Sequence, residues 1–242
     1  MIPQSRYPVF LLTRPEPQGA AMAARLVDLF PDAAVVRSPL LTTDFRAPPL
    51  PEGPFSAVVF TSQAGVEAAR RLTGLPQRAY CVGDRTAEAA RKAGFVALSA
   101  GGAAEDLITI ILETGEMGPL LHLRGAHSRG EIAARLAEAG VRAQALVIYE
   151  QRAQQLSGAA AGLLAGRNPV IAPLLSPRSA RLFLREITRI GAVAPLFCPV
   201  LSPSIAAEIP ETPDRRVFLA TRPDLEALTK AIKSAYAVAV RS

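Results

Sequence analysis

Tryptophan is absent from this 242-residue chain, and phenylalanine and tyrosine bring the aromatic share only to 5%. So few rings leave no stacking platform for unpaired bases, and nucleic acid is not an expected partner. Cysteine occurs only at Cys81 and Cys198, each inside an apolar run. Two such thiols exclude a disulfide framework and fit a reducing compartment. Histidine is confined to His122 and His127, five positions apart across a strand end. Two ligands without carboxylate or thiolate help do not make a metal site, so no metal is expected. His127, in a turn, reads as a solvated loop side chain or a ligand contact.

Long unbroken hydrophobic runs are also lacking. The longest uncharged stretch, residues 190–207, is interrupted by Pro195, Pro199 and Pro203, which argues against a lipid-exposed span. The apolar run at 9–12 is too short for a signal-peptide core, and a soluble cytoplasmic protein is expected. Several nucleotide and hydrolase signatures are missing. The chain has no G-x-x-x-x-G-K-[ST] loop, no G-x-G-x-x-G after a strand and no G-x-S-x-G elbow.

What remains is a folded composition, 50% hydrophobic and 20% charged, with a net charge of +6. Lysine is limited to Lys92, Lys230 and Lys233, so arginine carries nearly all of the positive charge. The guanidinium fork grips carboxylate or phosphate with two bonds. The basic residues are scattered rather than clustered, which suits an acidic small molecule better than a phosphate backbone. A coding bias toward arginine accounts for many of them equally well.

One unit repeats along the chain: a short apolar run, a tight polar turn, then an Ala- and Leu-rich amphipathic stretch. Runs at 9–13, 57–61, 79–82, 120–123, 170–175, 196–201 and 217–220 all follow it. Each run lacks alternation, as a strand buried on both faces does. The turns hold Ser, Thr, Asp or Pro, which suit helix N-termini. The pattern predicts an α/β fold with doubly wound parallel sheets.

Two longer extended runs, near 35–45 and 141–152, break the rhythm. Paired as a two-stranded β-ladder, they would join two sheets. The expectation is a discontinuous α/β domain formed by residues 1–39 and 153–242, with residues 40–152 inserted as a second α/β domain. A single large sheet is the alternative. Ligands of open α/β sheets sit outside the carboxyl ends of the strands, where free N–H groups at helix N-termini favour anions. With two such domains, those turns would line a cleft.

The segments Phe10-Leu-Leu-Thr-Arg-Pro-Glu-Pro-Gln, Val58-Val-Phe-Thr-Ser, Val82-Gly-Asp-Arg-Thr-Ala-Glu-Ala-Ala and Val147-Ile-Tyr-Glu resemble those of uroporphyrinogen-III synthases in order and spacing. Leu123-Arg-Gly, Leu175-Ser-Pro-Arg-Ser and Leu201-Ser-Pro-Ser-Ile-Ala-Ala extend the resemblance over nearly the whole chain. It implies two α/β domains joined by a ladder. It also implies a cofactor-free lyase that dehydrates and cyclises hydroxymethylbilane, a linear tetrapyrrole with eight carboxylates. The product is uroporphyrinogen III, with ring D inverted. A monomer acting on this small molecule, with no membrane or nucleic-acid partner, is expected.

Tyr149 corresponds to the family's tyrosine after the inserted domain, as a general acid or a hydrogen-bond peg. Without the resemblance it reads as a ladder tyrosine. Thr61, Ser62, Gly83, Thr86 and Ser176 correspond to hydroxyl-bearing turns that hold carboxylates, and they also read as helix caps. Arg14, Arg124, Gly125, Ser202 and Ser204 complete the expected substrate-binding set. Relatives often carry Gly-Pro-Thr-Thr before the last short helix. Here Ile205 follows Ser204 and has no side-chain hydrogen bond to give. A non-catalytic two-domain receptor for an anionic small molecule is the rival function.

Overall fold

The computed structural model describes residues 7–127 and 131–242. In chain order the elements begin with β1 (Val9–Leu12), α1 (Gln18–Leu29), β2 (Val35–Arg37), β3 (Leu41–Phe45), β4 (Ala57–Phe60) and α2 (Gln63–Ala69). There follow β5 (Arg78–Cys81), α3 (Asp84–Lys92), β6 (Val96–Ser99), α4 (Ala104–Glu113), β7 (Leu120–Gly125) and α5 (Ile132–Glu138). The long β8 (Ala143–Ala153) leads to α6 (Gly158–Leu164), β9 (Val170–Ile171) and α7 (Pro177–Arg189). The last elements are β10 (Leu196–Val200), α8 (Pro203–Ala206), β11 (Arg215–Leu219) and α9 (Leu225–Ala239).

The chain divides into two compact units, Met1–Thr42 with Ala153–Ser242, and Thr43–Arg152. The first holds a five-stranded sheet ordered β11-β10-β9-β1-β2, with every pairing parallel. The second holds the sheet ordered β3-β8-β7-β4-β5-β6, parallel from β8 to β6. The predicted α/β fold class is therefore present in both. Leu40 groups with the first unit because its side chain packs beside Val9 and Leu11.

Burial on both faces explains the unalternated runs. Along β1, Val9 and Leu11 face a core shared with α6 and α7, while Phe10 and Leu12 face one shared with α1 and α9. Along β4, Val58 and Phe60 meet α2 and α3, while Ala57 and Val59 meet α4 and α5. A strand with helices on both sides has no face left for polar residues.

Two expected strands differ in detail. The run near 35–45 is not one strand: β2 lies parallel to β1, and only β3 lies beside β8. Pro39 lies between them, and the hydrogen bonds toward β1 run on past it, Ser38 and Leu40 donating to the Leu12 and Thr13 carbonyls at 2.8 and 3.1 Å. β9 is shorter than the predicted 170–175 run. Ala172 and Leu174 still donate to Phe197 and Pro199 of β10 at 2.9 and 2.8 Å. Between them Pro173 faces β1 without a donor, and the β1 pairing stops at Ile171.

Candidate functional site

Each sheet has one point where consecutive strands depart in opposite directions, and ligands of open α/β sheets bind there. In the first unit that point lies between β1 and β9, and in the second between β4 and β7. Six of the expected site residues follow or close these strands. Arg14 follows β1, and Ser176 follows the end of β9. Thr61 and Ser62 follow β4, and Arg124 and Gly125 close β7.

In the second unit three of the expected residues meet. The Tyr149 phenol and the Ser62 hydroxyl share a hydrogen bond of 2.8 Å. Ser62 caps α2, its Oγ accepting the Gly65 N–H at 3.1 Å. A Cβ built on Gly125 would lie 2.6 Å from the Tyr149 Cε2 and Cζ and 2.9 Å from Oη, so the ring lies against the glycine backbone. Tyr149 is only 9% exposed and packs with Phe60, Val66 and Leu123.

A β-bulge produces this arrangement. Opposite β7, Arg124 pairs with Val147 but Gly125 pairs with Tyr149, leaving Ile148 as the extra residue. In a regular strand Ile148 and Tyr149 would point to opposite faces, whereas both enter the same core here. Pairing resumes at once, with the Ala126 N–H donating to the Tyr149 carbonyl at 2.9 Å. Across β8, Arg46 is tied to Glu150, and Arg152 to Asp44 at 2.9 Å. No local sequence signal marked the bulge.

This geometry orients the phenol's hydrogen. The Ser62 Oγ already accepts from Gly65, so its own proton can go to the Tyr149 oxygen. The phenolic proton is then available to a third group. Such a tyrosine can protonate a departing hydroxyl or hold it by hydrogen bond.

Gly83 and Thr86 lie at the start of α3. Gly83 is its N-cap, with an extended backbone (φ −145°) that any residue adopts. The helix begins at Asp84, so Thr86 lies inside the first turn and is buried, its N–H donating to the Gly83 carbonyl at 3.0 Å. Arg124 is half-buried on the β7 face that also carries His122.

His122 itself is 1% exposed, and its Nε2 has no hydrogen-bond partner among the described residues. Burial, then the nearby Arg124 charge, lowers its pKa from 6.5 to about 4. It is a neutral strand residue. His127 is exposed.

In the first unit, Ser176 caps α7, accepting the Ser179 N–H at 3.1 Å and donating to the Ser179 hydroxyl at 2.8 Å. Ser202 and Ser204 share a hydroxyl contact of 2.9 Å at the start of α8. Ile205, which follows Ser204, is buried in the apolar core beside Val200. Arg14 is half-buried.

Other candidates carry less chemistry. Burial pushes the Cys81 thiol up to about 11 and that of Cys198 up to about 12, so neither is a ready nucleophile. Among the described residues, no cluster of three His, Cys, Asp or Glu could hold a metal. Nor is any helix there long and apolar enough to cross a membrane. A hollow of about 350 Å³ lined by Arg70, Leu75, Gln77 and Phe95 lies at the opposite, amino ends of β5 and β6, away from these groups.

Two doubly wound units, each with hydroxyls and an arginine after the strands at its switch point, define a two-unit α/β protein. The family model of uroporphyrinogen-III synthase HemD matches residues 21–230. The chain belongs to the uroporphyrinogen-III synthase family. Its fold is similar to that of uroporphyrinogen-III synthetase from Helicobacter pylori, with a TM-score of 0.61 and 18% identity. That match covers 94% of this chain and 99% of the other. A mutant uroporphyrinogen III synthase from Thermus thermophilus gives a TM-score of 0.52 at 13% identity, covering 97% and 99%. No curated protein matches the sequence significantly.

Proposed function

We propose that the chain closes hydroxymethylbilane to uroporphyrinogen III, with loss of water and inversion of ring D, in tetrapyrrole biosynthesis. Family membership over residues 21–230 is the observation that carries this reading. The Ser62–Tyr149 pair at the β4–β7 switch point supports it from the chemistry.

The substrate's pyrrole nitrogen pushes out the hydroxyl, and the Tyr149 proton goes to the departing oxygen to make water. Ser62 steadies the phenol oxygen as its proton leaves. The remaining work is to hold the tetrapyrrole where ring D inverts rather than closing directly. That is positioning with electrostatic support more than strong acid–base catalysis. Arg14, Arg124 and the turns at Thr61, Gly83, Thr86, Ser176, Ser202 and Ser204 receive the substrate carboxylates. In this reading the protein is a cytoplasmic monomer that takes the tetrapyrrole alone, without nucleic acid.

The test is product identity. Freshly generated hydroxymethylbilane is incubated with the protein, the porphyrinogens are oxidised, and the isomers are separated. Type III should dominate. Type I alone, formed at the spontaneous rate, would overturn the enzyme in favour of a receptor.

A further inference from the structure

We propose that Gly125 is a positioning residue for the Tyr149 phenol: its missing side chain is the space the reacting ring occupies. The inference rests on the reading of Tyr149 as the group that meets the substrate hydroxyl. Resemblance alone assigns Gly125 to substrate contact, whereas the geometry gives it different work.

Glycine is retained at a strand position for one of two reasons, a left-handed backbone or a close neighbour. The backbone reason does not apply, since Gly125 is absent from the positive-φ glycines. The neighbour reason does. A methyl group at 125 would stand 2.6 Å from two ring carbons of Tyr149 and 2.9 Å from its oxygen, closer than real Cβ contacts. The bulge at Ile148 turns Tyr149 toward this gap, and Ser62 holds the phenol at 2.8 Å. The ring is thus bounded at its Cε2–Cζ end by Gly125 and held at its tip by a hydroxyl. In Gly125→Ala the ring edge must move, because the far end of a side chain shifts more readily than two paired strands. Its oxygen then leaves the position set by Ser62.

A displaced catalytic group costs turnover rather than binding, and a misplacement of about 1 Å can cost about 10²-fold. Gly125→Ala should lower kcat by about tenfold or more, with KM changed little. A Gly125→Ala/Tyr149→Phe double variant should be no slower than Tyr149→Phe by more than about twofold, because without the hydroxyl there is nothing left to misplace. The chain has four tyrosines, so ring-labelled tyrosine gives a simple NMR spectrum. In Gly125→Ala the resonance that disappears in Tyr149→Phe should shift, while those of Tyr7, Tyr80 and Tyr236 stay in place.

An unmoved Tyr149 resonance, or single-variant losses that multiply in the double variant, would overturn the proposal. If Tyr149→Phe turns over like the wild type, the reading of Tyr149 fails. The resonance shift would still report separately whether Gly125 sets the ring. Should Gly125→Ala fail to fold, Tyr149→Leu in the same chain should restore folding by removing the ring atoms that clash. No rescue would refute the contact as the cause.

Discussion

Protonation of His122 should be a measurable source of acid sensitivity in this fold. The imidazole lies inside β7, 1% exposed, and its pKa falls from 6.5 to about 4 through burial and the Arg124 charge. In the unfolded chain it takes up a proton as pH drops through about 6.5, whereas in the folded chain it does so only near 4. The unfolded state therefore binds more protons across this window, and stability falls as pH decreases. Linkage for that shift gives a loss of about 2–3 kcal/mol between about pH 7.5 and about pH 4.5, levelling off below about pH 3.

His122→Leu keeps an apolar side chain of similar size in the strand and removes the unpartnered nitrogen. Near pH 7.5 it should match the wild type or exceed it, since it deletes an unsatisfied buried polar atom. By about pH 4.5 the gap should widen in the variant's favour by about 2–3 kcal/mol. Urea unfolding of both proteins, followed by circular dichroism at several pH values, measures the difference directly. Carboxylates such as Glu186, held low by its Arg189 partner, titrate in both proteins and cancel. A stability difference that stays constant across this pH range would refute the argument, because it would mean His122 is protonated equally in both states.

Tyr149→Phe should lose more than one neutral hydrogen bond is worth, about 2–12-fold, and less than a full general acid, about 10²–10⁴-fold. The type III isomer should still dominate, and wild-type turnover in a folded variant would remove Tyr149 from the site. KM for hydroxymethylbilane should rise with ionic strength, because an octacarboxylate held by arginines and helix N-termini is screened by salt. A KM unchanged from low to high salt would count against that mode of binding.

Much of the architecture is legible in local sequence. Four consecutive apolar residues at 9–12 or 57–60 fit a strand covered on both faces, and helix-start residues such as Ser62 and Ser176 do cap the helices that follow. These features depend on neighbours a few positions apart, which the chain displays directly. The order of motifs also sufficed to suggest the family. What only the tertiary structure decided depends on residues far apart in the chain. The division of 35–45 between two sheets, the strand order that places the switch points, and the bulge at Ile148 are of this kind. The contact of Ser62 with Tyr149 joins residues 87 positions apart. Gly125 reads in isolation as one more turn glycine. Its need to be glycine comes from the ring of a different strand, a steric fact that arises only once β7 and β8 are paired.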